Sequence, residues 1–245
     1  MSAPILELKG VHTHVAAYHI LHGVDLAVPP GEVTMLLGRN GAGKTTTLRT
    51  IMGLWRASQG SISFKGQALH GLRTPDIAQR GVAYVPESMG IFGDLTVQEN
   101  LVLAARSAKR ASELDTARLE WIFGFFPALK KFWLYPAGKL SGGQKQMLAV
   151  ARAIVEPREL LLIDEPSKGL APSIVQNLIA ALRELKQQRS TIVLVEQNFN
   201  MAKALGDRVA VMDNGRVVHS GGMRELVEDE AMQQRLLGLS LGVHQ

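Results

Sequence analysis

The sequence predicts an α/β fold: strands covered on both faces at its core, an antiparallel β subdomain toward the N-terminus, and an α-helical subdomain inserted midway. Three observations lead there. Residues 33–37, apolar but for Thr34, and 160–163 are runs of strand length, as expected in a sheet with helices on both sides. From Leu140 onward, strand-like and helix-like stretches alternate. Between about 94 and 155, helical periodicity replaces the short β-rich runs that precede it.

In the opening third, residues 5–8, 24–28, 33–37 and 61–64 read as strands, and 24–28 ends at the turn Pro29-Pro30-Gly31. Residues 82–85 form another strand. Thr96-Val97-Gln98-Glu99 is a capping box, in which threonine and glutamate satisfy two otherwise orphaned N–H groups, so a helical region opens there and runs to about Phe126. Leu101, Ala104 and Ala105 continue one face, and Leu119, Ile122, Phe123 and Phe126 mark a second stretch. A helix follows Ser141, a strand occupies 160–163, a helix follows Pro172, and 191–195 is a strand. Asp213-Asn214-Gly215 between two β-rich runs marks a hairpin. With no internal repeat or low-complexity linker, residues 1–245 read as one domain carrying the helical subdomain.

An apolar content of 46% suffices for a substantial core. The absence of cysteine excludes disulfides, thiolate metal sites and cysteine nucleophiles. A net charge of +5 suits nucleotides, nucleic acids or an anionic membrane face without choosing among them. No apolar run approaches the roughly 20 residues that span a bilayer, and the first eight residues lack the pattern of a signal peptide. The expectation is a soluble, cytoplasmic chain, with any membrane path supplied by another polypeptide.

Gly38-Arg39-Asn40-Gly41-Ala42-Gly43-Lys44-Thr45 fits G-x-x-x-x-G-K-[ST] between a strand and a helical stretch, the setting that phosphate-binding loop requires. Glycines let successive N–H groups converge on phosphate oxygens, the following helix adds its positive end, and Thr46 is expected to join residues 38–45 in binding the nucleotide. Lys44 is placed to bridge the β- and γ-phosphates of ATP, and the Thr45 hydroxyl to ligate Mg²⁺. The core is thus that of a P-loop nucleoside triphosphatase. Leu160-Leu161-Leu162-Ile163 ends in Asp164-Glu165. Asp164 is the second expected Mg²⁺ ligand, and Glu165 the expected general base toward the attacking water.

Leu140-Ser141-Gly142-Gly143-Gln144 matches the signature of the ATP-binding-cassette (ABC) family, which this chain resembles over essentially its whole length. Serine and two glycines at a helix start make a second anion site. One chain already carries a phosphate loop, so the pair implies ATP clasped between two protomers, head to tail. Within the family the chain resembles the ATPase subunit of branched-chain (hydrophobic) amino-acid importers, through Gly81-Val82-Ala83-Tyr84-Val85-Pro86-Glu87, Glu165-Pro166-Ser167-Lys168-Gly169-Leu170-Ala171-Pro172 and Val195-Glu196-Gln197-Asn198. The resemblance implies a second ABC ATPase subunit (usually a different, related chain), two transmembrane permease subunits, a periplasmic or extracellular solute-binding protein, no nucleic acid, and a peripheral place on the cytoplasmic face of the inner membrane. A urea, short-amide or other small-solute importer is the alternative. Cassettes of DNA repair or of ribosomes are disfavoured by the compact, cysteine-free chain, and a non-hydrolysing cassette by intact Lys44, Thr45, Ser141, Asp164 and Glu165.

Three positions depart from the general family pattern but suit the amino-acid importer group. Glu87 stands where most cassettes have glutamine. A carboxylate about 4 Å from a phosphate oxygen is repelled by about 4 kcal/mol, so Glu87 is expected at Mg²⁺, at water or toward the membrane partner. Gln197 replaces a histidine and is expected to sense the γ-phosphate, and Ala171 replaces an aspartate. Family spacing puts an adenine-stacking aromatic near Val15, leaving Tyr18 or His14 for that task.

His12, His14, His19 and His22 crowd the N-terminal region but lack a carboxylate set, so exposed strand histidines are expected rather than a metal site. Seven of the 13 aromatics lie between Trp121 and Tyr135, which fits either a small core or an exposed docking groove. The rim of the membrane-partner dock is expected at 87–96.

Overall fold

Strands of the computed structural model, which describes residues 3–238, sort into two sheets. The first half comprises β1 (Leu6–Val15), β2 (Tyr18–Val28), β3 (Val33–Gly38), α1 (Lys44–Ile51), β4 (Ala57–Phe64), β5 (Gln67–Ala68), α2 (Thr74–Gln79) and β6 (Val82–Val85). Helices α3 (Val97–Ala104), α4 (Thr116–Phe125), α5 (Pro127–Lys131) and α6 (Gly142–Ile154) follow. The chain then returns through β7 (Leu160–Asp164), α7 (Pro172–Gln187), β8 (Thr191–Val195), α8 (Phe199–Leu205), β9 (Arg208–Asp213), β10 (Arg216–Gly222), α9 (Met223–Glu228) and α10 (Glu230–Leu237).

The small sheet, in order β2-β1-β4-β5, is antiparallel. The large one runs β10-β9-β3-β8-β7-β6 and is parallel except for β10. Every residue of β7 and β8 is buried, which is why those stretches carry no polar alternation. The parallel strands end together, so the loops after β3, β6, β7 and β8 gather on one edge, where ligands meet open α/β sheets. At Asp213-Asn214-Gly215 the β9–β10 hairpin turns with positive φ at Asn214 (44°) and Gly215 (72°).

Two expectations needed correction. The first two strands are longer than 5–8 and 24–28, because the ribbon bulges at Gly10 instead of ending there; Gly10 has φ 55°, and its N–H donates to Asp25 Oδ1 at 2.8 Å. The helical run from Thr96 breaks after Ala104. Glu156, 49 residues beyond Ser107, accepts from both the Ser107 N–H (2.9 Å) and its hydroxyl (2.6 Å) and draws the chain out of the helix.

The expected capping box forms between Thr96 and Glu99, and a second, not anticipated, joins Ser141 to Gln144. Of the aromatic cluster, Phe126 is fully buried, while Trp121, Phe123, Phe125, Phe132 and Trp133 are partly buried and pack on the core. Edge-to-face pairs join Trp121 to Phe125 and Phe123 to Trp133, with centroids 5.3 and 5.5 Å apart. Six of the seven aromatics thus belong to the core, and Tyr135 is exposed. A cleft of about 960 Å³ lies elsewhere, between the end of α1 and the loop after β6, lined by Met52, Leu54, Trp55, Met89 and Phe92.

Candidate functional site

Four loops at the strand ends build the site. After β3 the chain passes through Gly38, Arg39, Asn40, Gly41, Ala42 and Gly43 into α1, which starts at Lys44. Gly38 has φ 140°, and a Cβ there would run into the Met212 carbonyl oxygen, so only glycine lets β9 lie so close. Lys44 is buried, and its Nζ donates to the carbonyls of Gly38 (2.8 Å) and Arg39 (3.0 Å). Burial lowers its pKa, with Glu165 and Asp164 pulling the other way. An ammonium whose hydrogen bonds go to neutral carbonyls is well placed to exchange them for a phosphate oxygen.

Asp164 ends β7 with no exposed surface. Thr45 Oγ1 donates to its Oδ1 at 3.1 Å, and the Tyr84 hydroxyl to its Oδ2 at 3.3 Å. Burial raises the Asp164 pKa, against the Thr45 hydrogen bond. Burial and then Asp164 push Tyr84 up to about 12. Two hard oxygens, a hydroxyl and a carboxylate, therefore sit side by side at the start of α1, a donor set that fits Mg²⁺. Among the described residues, no group of three or more histidine, cysteine or carboxylate side chains converges on a metal position.

Glu165 follows in the left-handed region, at φ 45°, and is 9% exposed. Its Oε1 accepts from Gln197 Nε2 at 2.7 Å, and its Oε2 lies 3.6 Å from Lys168 Nζ. The general-base and phosphate-sensor candidates thus touch across the ends of β7 and β8. Lys168 also pairs with Glu87. Behind them, Glu196 is buried and accepts four hydrogen bonds, from the Ser167 N–H and hydroxyl and from the N–H groups of Gln197 and Asn198. Burial raises its pKa against those four donors. It ties the loop after β7 to the loop after β8, a role the sequence reading did not assign.

Leu140, Ser141, Gly142, Gly143 and Gln144 open α6 in the helical layer. Ser141 Oγ accepts from the Gln144 N–H at 3.3 Å, and Gln144 Oε1 from the Ser141 N–H at 2.9 Å. Ser141 and Gly142 are exposed, and among the described residues no hydrogen bond joins this segment to the phosphate loop. Tyr18, at the start of β2, is 73% exposed. His14 instead stacks on His19, centroids 4.1 Å apart at 11°, and His12 Nδ1 lies 3.1 Å from His19 Nε2. With two of the rings lying parallel, the four histidines share one face of the ribbon without pointing at a common centre.

A family model described as ABC transporter matches residues 21–168. The high-affinity branched-chain amino acid transport ATP-binding protein BraG of Pseudomonas aeruginosa is 38% identical over 234 residues, covering 96% of this chain and 100% of the relative. A probable branched-chain amino acid transport ATP-binding protein, LivF of Archaeoglobus fulgidus, is 34% identical over 222 residues, covering 90% and 93%. A solved ATP-binding subunit of an ABC transporter is similar at a TM-score of 0.78 and 32% identity, over 96% of this chain and 95% of that one.

Proposed function

We propose that this chain, which belongs to the ABC transporter family and is an ATP-binding, ATP-hydrolysing subunit of that family, powers uptake of branched-chain or similar hydrophobic amino acids. The substrate class is supported by the relatives named above. The mechanism is supported chiefly by one observation, the contact of Gln197 with Glu165 beside the Thr45–Asp164 pair.

The phosphate loop, with Lys44, cradles the ATP phosphates. Thr45 and Asp164 would hold Mg²⁺, which neutralises charge on the phosphate oxygens. Glu165 accepts a proton from water, and Gln197 donates to Glu165 or to the γ-phosphate according to whether nucleotide is present. The exposed Ser141–Gly142 helix start completes a second protomer's nucleotide. The cleft beside Phe92 receives a permease subunit at the cytoplasmic membrane face, and a solute-binding protein delivers the amino acid to that permease.

Glu165→Gln should cut turnover about 10²–10³-fold while ATP binding changes less than about threefold; near-normal hydrolysis would remove Glu165 from the role. Deletion of the gene should abolish uptake of labelled leucine, isoleucine and valine and spare urea. The reverse pattern would reassign the substrate.

A further inference from the structure

Lys168 joins two carboxylates that belong to different loops. Its Nζ bonds Glu87 Oε1 and lies 3.6 Å from Glu165 Oε2, while Gln197 occupies Glu165 Oε1. Both oxygens of the proposed general base are therefore engaged by neighbouring side chains. Lys168 is itself 60% exposed, and exposed ion pairs stabilise folds only slightly. What the contact governs is position. Glu87 opens the loop that leads from β6 past the cleft to α3, so movement of that loop reaches Glu165 through one side chain. Glu165 cannot easily turn by itself, because its backbone is confined to the left-handed region and its side chain is nearly buried.

We infer that Lys168 is a positioning residue that restrains Glu165 Oε2 while it holds Glu87, and frees it when the loop carrying Glu87 moves. The inference rests on Glu165 as general base. It adds a route by which a protein docked at the cleft would license hydrolysis without touching the nucleotide.

Steady-state hydrolysis by the full chain tests it, comparing Lys168→Met, Lys168→Arg, Glu87→Gln, the Glu87→Gln/Lys168→Met double variant and Glu165→Gln. Lys168→Met should raise kcat about two- to fivefold, the span an exposed charge pair can impose. KM for ATP should stay within about twofold, because Lys168 does not touch the phosphate loop, and Tm within about 2 °C. Lys168→Arg should restore the original kcat. Glu87→Gln should match Lys168→Met without changing the Mg²⁺ requirement, and the double variant should exceed neither single one. An unchanged or lowered kcat in Lys168→Met, or additive effects in the double variant, overturns the restraint. If Glu165→Gln is inactive and Lys168→Met silent, this inference alone falls; if Glu165→Gln turns over normally, the general-base reading falls and takes it along.

Discussion

The phosphate loop and the 140–144 segment both present N–H groups at the start of a helix, yet the chain supports them in opposite ways. The phosphate loop is wedged from outside: Gly38 against the Met212 carbonyl, Gly43 against Leu21 and Gly215, and Lys44 folded back onto loop carbonyls. In the 140–144 segment Leu140 is anchored in the core and Gly143 backs onto Ile174, but the helix start itself is satisfied from within, by the reciprocal Ser141–Gln144 box, and a Cβ on Gly142 would meet nothing within 4 Å. One anion site is built against the rest of the fold, and the other is left facing outward. That asymmetry suits the proposed sharing of a nucleotide between two protomers.

A pair of glycine substitutions would break the comparison most sharply. Gly38→Ala meets a backbone carbonyl and a disfavoured φ of 140°, so it should destabilise the chain by about 3 kcal/mol or more and abolish ATP binding, read by urea unfolding and nucleotide titration. Gly142→Ala, at a helix start with open space around it, should leave unfolding within about 1 kcal/mol and ATP binding by the isolated chain unchanged. Equal damage from the two would mean that the Ser141–Gly142 helix start is also braced by the rest of the fold.

A smaller effect should separate the segment's own capping from its use by a partner. Ser141→Ala removes one cap hydrogen bond, which costs about 1 kcal/mol of stability. If Ser141 also contacts a second protomer's nucleotide, hydrolysis should fall about tenfold or more, in excess of that loss. It should fall only at protein concentrations where the chain pairs. A first-order loss that is independent of concentration would place Ser141 in its own chain's site.

How far each region could be read from sequence follows the reach of the forces that shape it. The phosphate loop, the Thr96–Glu99 capping box, the helix start after Ser141 and the Asn214-Gly215 turn depend on neighbours within a few residues, and they appear where the residue pattern puts them. The break after Ala104 depends on Glu156, the Lys168–Glu87 pair spans 81 residues, and Tyr84 meets Asp164 across 80. No local period announces such contacts. The Tyr84 contact had a partial signal, since β6 pairs with β7 in parallel and Tyr84 sits near the strand end that faces the site. Glu196 was conspicuous as an acid after an apolar strand, but its four donors come from two loops.

The mildest test concerns the fastening of the helical layer that presents Ser141. Glu156, just beyond α6, accepts from the Ser107 N–H and hydroxyl and lies 3.3 Å from Arg158, which in turn donates to the Ala104 carbonyl. Burial alone would raise its pKa, but the Ser107 hydrogen bonds, with help from the Arg106 backbone and Arg158, outweigh it and bring the carboxyl from 4.5 to about 2. A carboxyl depressed in the folded state adds stability above its unfolded value, and that stability is lost as pH falls from about 4.5 toward about 2. Glu156→Gln should therefore cost about 1–2 kcal/mol at pH 7, allowing for partial solvent screening. In urea titrations at stepped pH, the gap from the parent chain should narrow steadily below about pH 4.5. ATP binding should stay unchanged throughout the range where both chains are folded, because the phosphate loop takes its support from β9 and β2 and none from the root of α6.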